Sequence, residues 1–482
     1  METSESLKIA LVQRAEEEIE KMVEQLQRLG EGDLKELEQV ILRSSLSIGR
    51  GMLEQILTHD QQERKQPTRR QGSCGHRQRL VANRSKQVLT MFGRITIERQ
   101  YYQCLLPVEA KHLGRCTHGE APFDEEWGLS SGRTSPGVQK LISFLAASMT
   151  LSEATQVFTC LLPLDLSERQ ALNLLQPVGE ALQCQEDEQM QQIFEQARTK
   201  HTCRQERRSG NPKPIRRLYI ELDGVLARLR RGCVPLEEHE RKREGDVYRE
   251  VKVGAVFQAS RGRERSHLVK EVFLDEPGPI TYVARRTNAE TFAPLLYQLA
   301  HRCGLEQAEQ VVVLGDGAAW IRRVVAEHFP QAIHIVDLYH AREHVWKVAN
   351  AVYTRGTQQA SIWAHAVCDL LCEGRISEVV KRIEELPAIQ PEPGAARSVP
   401  EIEAEYFRTN SERMCYPTFR AQGMHIGSGI AEAACKTVVS TRAKRSGMRW
   451  TPAGLDAVLA LRTAVLNQSY EDFWKDRGHR CA

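Results

Sequence analysis

Three acidic residues stand out by what surrounds them. Asp223 closes the alternating run Leu218, Ile220, Leu222 and precedes Gly224, while Asp316 closes the apolar run 311–314 through Gly315 and precedes Gly317. One aspartate at a strand end is ordinarily a turn residue. Two at the ends of neighbouring strands, each beside a glycine that lets backbone and substrate approach, suit hard divalent cations, Mg2+ or Mn2+. Two such ions about 3.5–4 Å apart activate a water or 3′-hydroxyl and stabilise the leaving oxygen in phosphoryl transfer. A third acid, Glu432, follows the helix start Gly427-Ser428-Gly429. The next acid after it is Asp456, and between them lie Lys436, Arg442, Lys444, Arg445 and Arg449. A basic tract without acids suits the phosphates of double-stranded DNA, so these five are the expected DNA contacts.

The elements that must position these groups are legible from periodicity. Residues 218–222, 251–257 and 269–274 read as three consecutive strands. Thr287 and Glu290 form a capping box for a helix to about residue 303, followed by a strand at 311–314, a helix to 329, a strand at 333–336 and a helix from Leu338. The order β-β-β-α-β-α-β-α is the ribonuclease-H-like arrangement, with Asp223 leaving the first strand and Asp316 the fourth. The expected fold class is therefore α/β: a ribonuclease-H-like core with a mixed sheet and a helical insertion, preceded by helical and small β DNA-binding modules.

Upstream, residues 1–60 read as a helical region with 13 acids and 7 bases, and residues 61–119 hold 12 bases and 3 acids. Residues 61–134 form a basic β-module with a hairpin turn at Phe92-Gly93-Arg94. Cys74, His76, Cys104 and Cys116 lie around it as candidate ligands for a structural zinc, although paired C-x-x-C knuckles are missing. Ser135, Ser152 and Ser167 cap three helices over 135–197, a helix-turn-helix-like region. The catalytic core spans 215–349 and 423–475, with the insertion at 350–422. The 13 cysteines include no C-x-x-C pair, which fits reduced thiols in a cytoplasm. No apolar run is long enough to cross a membrane.

The strings YIELDGV, VVVLGDGAAWI, HIVDLYHAREHVW and RAQGMHIGSGIAEAACKTVVSTRAKRSGMRW resemble the DDE transposases of bacterial insertion sequences, specifically the ISKra type, related to the Mutator-like group. The resemblance runs from about residue 61 to residue 475. It implies a triad of Asp223, Asp316 and Glu432, with Asp337 and His340 as the (C/D)-x-x-H pair that supports the active site. It also implies transposon terminal inverted repeats and target DNA as partners, a homo-oligomer on DNA, and a place at the bacterial nucleoid. Family members often carry C-x-x-C knuckles in the N-terminal β-module, which this chain lacks.

Two other readings use the same residues. His340-Ala341-Arg342-Glu343-His344 spells H-x-x-E-H, which in a zinc metallopeptidase places two histidines on one helical face with Glu343 as base. Glu401, Glu403 and Glu405 are the available third ligands. A catalytically inactive DNA-binding protein is the other alternative, and metal-dependent DNA cleavage separates it from the transposase.

Overall fold

The computed structural model describes residues 2–29, 33–63, 67–104, 118–129, 132–162, 164–200, 215–236, 245–264, 273–391 and 396–480. The chain divides into two compact units, Met1–Val178 with Ser469–Ala482, and Gly179–Gln468.

The first unit begins with two long helices, α1 (Glu2–Leu29) and α2 (Leu34–Glu63). An antiparallel sheet follows in chain order: β1 (Arg69–Gln71), β2 (Arg77–Thr90), β3 (Gly93–Cys104) and β4 (Gly119–Glu120). The tight turn between β2 and β3 needs Gly93, whose φ is +126°. Alternation along both strands sends Val88, Ile95 and Ile97 into one small core with Leu57, Phe123 and Leu129. Then come α3 (Pro122–Glu126), α4 (Pro136–Ser148), α5 (Leu151–Leu161) and α6 (Glu168–Lys200). Ser135 caps α4 as expected. The cap of α5 is Thr150 rather than Ser152, because Glu153 completes a capping box with it. α6 runs far longer than the third helix of a helix-turn-helix. Within the first unit it buries Ala171, Leu175 and Val178; beyond Val178 it belongs to the second, where Glu186 pairs with Arg285 at 2.9 Å and Phe194 stacks on Tyr297. The division therefore falls inside this helix, ahead of the basic stretch after it.

The second unit is built on a five-stranded mixed sheet. Its strands are β5 (Ile215–Leu229), β6 (Val247–Glu264), β7 (Phe273–Arg285), β8 (Ala308–Gly315) and β9 (Ile333–Val336), with α7 (Ala289–Arg302) after β7 and α8 (Ala319–His328) after β8. The spatial order is β7-β6-β5-β8-β9, antiparallel on the β7 side of β5 and parallel on the β8 side. Two expectations shift. The third strand is Phe273–Arg285 rather than 269–274, and Val269 lies outside the described residues. The cap of α7 is Asn288, whose side chain accepts from Thr291 N–H at 2.9 Å, in place of Thr287.

Both faces of this sheet are covered, so consecutive residues 218–222 of β5 are all buried. Leu218, Ile220 and Leu222 of β5 point toward α7 and α8, joining Phe292, Leu296 and Val324. Tyr219 points the other way, into a core with Val312, Leu314, Ile335 and the helices after β9. Those helices are α9 (Leu338–Tyr353), α10 (Gln358–Cys372), α11 (Ile376–Glu384), α12 (Val399–Asn410) and α13 (Tyr416–Ala421). The segment expected as an insertion thus shares one core with the sheet. After it, α14 (Gly429–Ala434) continues through a π-helical turn, Cys435–Ser440, to Thr441–Ala443, and α15 (Pro452–Leu466) packs on β7. Asn467 donates to and accepts from the backbone of Tyr282 at 2.8 Å each way, closing the open edge of β7. Among the described residues no helix is long and apolar enough to cross a membrane.

Candidate active site

Strand period places Tyr219, Glu221 and Asp223 on the face of β5 that meets α9 and α14. The parallel ladder between β5 and β8 ends at the pair Glu221 and Leu314. Asp223 and Asp316 each lie two residues beyond that pair, at matched positions where the strands part. β5 itself does not end at Asp223, as its sequence suggested; it continues to Leu229 against β6. Only its pairing with β8 stops there.

The Asp223 carboxyl is raised above its ordinary value, first by burial. The Gly224 N–H, donating at 2.6 Å, and the Cys435 thiol oppose that shift; the neighbouring Asp316 carboxylate adds to it, and His340 opposes it. Asp316 accepts from Ala318 N–H at 2.8 Å. The two glycines serve packing more than access. A Cβ on Gly224 would collide with the Glu250 carboxylate, and Gly317, at φ +82°, would bring one within 2.9 Å of the Tyr406 hydroxyl.

Glu432 approaches through its helix. Cys435, three residues on, donates its thiol to Asp223, and burial followed by the Asp223 carboxylate pushes that thiol far up. Lys444 eases this shift and Glu432 adds to it, so both flank the same corner. The π-helical turn begins at Cys435, a local widening that recurs at functional sites. Asp337 anchors the loop before α14. One carboxylate oxygen caps α9 by accepting from Tyr339 N–H at 2.5 Å and His340 N–H at 3.0 Å. The other accepts from Ser428 N–H at 2.5 Å and from the Ser428 hydroxyl. Asp337 thus ties this loop to the start of α9, with its oxygens occupied by donors. His340 lies near Asp223, and its Nδ1 is 3.4 Å from Glu343.

Sequence reasoning passed over Glu221, Cys435 and Tyr406 here, and named Glu403 only as a third ligand of the peptidase reading. Glu221 is fully buried, and one of its oxygens accepts from Ala431 N–H at 2.8 Å. Its carboxyl is pushed up to about 8 by burial; the Ala431 N–H opposes this, the Asp337 carboxylate adds to it and the Ile430 N–H opposes it. Cys435 and Glu221 each had a signal, since one sits three residues from Glu432 on a helix and the other two from Asp223 on a strand. Tyr406 had none, and Glu403 had only its place among the acids Glu401, Glu403 and Glu405. Glu403, 1% exposed, accepts from His344 Nδ1 at 2.5 Å and Lys347 at 2.6 Å, and His344 stacks on Tyr406 at 3.8 Å.

The basic tract is divided by burial. Lys436, Lys444, Arg445 and Arg449 are exposed, although Arg449 also pairs with Asp246 at 3.3 Å. Arg442 is 1% exposed and lies over the Trp450 ring, which removes it from the expected DNA contacts. A long basic side chain with an aromatic partner is stable inside, and sequence alone does not separate it from its exposed neighbours.

The H-x-x-E-H residues are used differently from a peptidase. Glu343, the base in that reading, has its side chain 76% exposed. Glu403 holds His344 by a hydrogen bond, and Glu401 is spent on the capping box with Ser398.

In the first unit, Cys74, His76 and Cys104 come together with their ligand atoms within 4.8 Å of one another. Among the described residues they are the one set of three so close; Asp223, Asp316 and Glu432 are spread more widely. Gly75, at φ +76°, and the bond from Gly72 N–H to His76 carbonyl at 2.9 Å make the turn between β1 and β2 that gathers them. His118 carbonyl accepts from Cys104 N–H at 3.0 Å, and Cys116 lies outside the described residues.

The model of an uncharacterised protein family (UPF0236) matches residues 297–472, a segment that includes Asp316, Asp337, His340 and Glu432 and leaves out Asp223. No curated protein matches the chain. Among solved structures it is similar to the Drosophila P element transposase strand transfer complex, at 11% identity over 70% of this chain and 80% of that one, with a TM-score of 0.23. A score that low carries no weight for fold or function.

Proposed function

We propose that this protein is a DDE-type DNA transposase of an insertion sequence, built on a ribonuclease-H-like core, that cleaves transposon ends and joins them to target DNA. The observation that carries this reading is the register match of Asp223 and Asp316 beyond the β5–β8 ladder, with Glu432 brought alongside through Cys435. The residues fit a hard cation: a half-buried pair of like-charged carboxylates favours one, because the cation offsets both burial and mutual repulsion. Asp223, Asp316 and Glu432 would hold Mg2+ or Mn2+, which supplies activation of the attacking oxygen and charge neutralisation at the phosphate. The chain's own groups set the frame. Asp337 fixes the loop that delivers Glu432, and Tyr406 fixes the turn that delivers Asp316. The exposed cations Lys436, Lys444, Arg445 and Arg449 supply phosphate contacts. The set Cys74, His76 and Cys104 has the soft donors of a structural zinc site, with the fourth position left to another group. The resemblance to ISKra-type enzymes adds double-stranded DNA ends as substrate, a homo-oligomer on DNA and a bacterial, nucleoid-associated setting.

The test is cleavage of duplexes made from the inverted repeats that flank the gene, with Mg2+ or Mn2+ present. Asp223→Asn, Asp316→Asn and Glu432→Gln are each expected to lose cleavage while folding and end binding persist. Retained cleavage in any one removes that residue from the triad. Turnover of peptides by the wild type, blocked by zinc chelation, would instead establish the H-x-x-E-H reading.

A further inference from the structure

A crevice of about 760 Å3 opens beside Glu432, bounded by Leu274, Tyr339, Arg420, Met424 and Ile426. Its two outer walls are unusual. Tyr339 is 66% exposed and Leu274 is 42% exposed, so two large apolar side chains are left facing one cleft. The Tyr339 ring is nevertheless set in place. Its backbone N–H is tied to Asp337 at 2.5 Å, and the ring lies flush on Gly427, where a Cβ would come within 2.8 Å of Cδ2 and Cε2. Arg420 brings a guanidinium to the rim; one of its nitrogens donates to Cys372 carbonyl at 3.3 Å. Buried Met424 supplies an apolar lining.

A fixed aromatic face, an aliphatic wall and a cation at the edge match a flat apolar ring that carries a phosphate. Duplex backbone offers no such ring, whereas an unstacked base does. We propose that this crevice receives one nucleobase, unstacked from the substrate strand next to the scissile phosphate, stacked on Tyr339 against Leu274 with its phosphate toward Arg420. The inference rests on the DNA-cleaving reading and names where that substrate is gripped.

The full chain is mixed with a short single-stranded oligodeoxynucleotide carrying one 5-iodouracil, irradiated, and the cross-linked peptide sequenced; affinity is read from the fluorescence of a 2-aminopurine version. The cross-link is expected at Tyr339. Tyr339→Ala should abolish it and weaken binding about tenfold, the usual worth of one base–aromatic stack. Tyr339→Phe should keep both, because the ring and not the hydroxyl does the stacking. Unchanged melting of both variants excludes misfolding. A cross-link elsewhere on bound DNA, no DNA binding, or Tyr339→Ala binding like the wild type overturns the proposal; the crevice would then suit an apolar peptide segment. Neither readout needs cleavage. If they fail while the wild type still cuts DNA and Asp223→Asn does not, this inference alone falls. If they hold while the wild type cuts nothing, the base site stands and the cleavage reading falls.

Discussion

The Tyr406 hydroxyl donates to the main-chain carbonyl of Asp316 at 2.9 Å. A residue of α12 thereby holds the turn that presents a candidate metal ligand of the sheet. Burial, reinforced by the Asp316, Glu403 and Asp337 carboxylates, raises the phenol, so it stays a donor. Tyr406→Phe removes one hydrogen bond, worth about 1 kcal/mol of stability by thermal melting. Cleavage should fall further than that loss explains, and more Mg2+ should be needed to restore it. An unchanged metal titration would reduce Tyr406 to a packing residue.

Charge removal should act differently at two places in the basic tract. Replacing Lys436, Lys444 and Arg445 with alanine should weaken DNA binding and lower the log–log salt slope by about 0.9 for each lost phosphate contact, at constant melting temperature. Arg442→Ala should cost about 2 kcal/mol of stability through its stacking on Trp450. Its salt slope should match that of the wild type. Filter binding across a salt series, beside melting curves, measures both.

Glu221 makes stability depend on pH. Between the ordinary carboxylate value and about 8, the folded chain keeps a proton that the unfolded chain has released. Stability therefore falls as pH rises through that window and levels off above it. Each unit of raised pKa corresponds to about 1.4 kcal/mol. Glu221→Gln still accepts from Ala431 and cannot ionise, so its melting temperature in chelator should change less between about pH 5 and about pH 9. An equal change in both proteins would show that Glu221 is not the group responsible.

The cluster in the first unit predicts about one zinc per chain by atomic absorption. Cys104→Ser should lose the metal and loosen hydrogen-exchange protection across β2 and β3, with the five-stranded sheet unaffected. A wild type purified without zinc, and insensitive to chelation, would leave these thiols as ordinary packing groups.

How much was legible follows from the range of the forces involved. Strand and helix periods are local, so the alternation of Leu218, Ile220 and Leu222, the apolar run before Asp316 and the helix start before Glu432 could be read directly. Caps were less secure, because Thr150 and Ser152, or Thr287 and Asn288, compete within one or two residues, and side-chain geometry chooses between them. The end of β5 was misplaced because no local signal marks where one neighbouring strand parts from it while the other stays. Only the tertiary structure decided that Arg442 is inside, that Cys74, His76 and Cys104 meet, and that Tyr406 and Glu403 reach the site from helices far along the chain. Burial and long-range hydrogen bonds depend on which surfaces the fold brings together, and a residue's type and its immediate neighbours do not encode that.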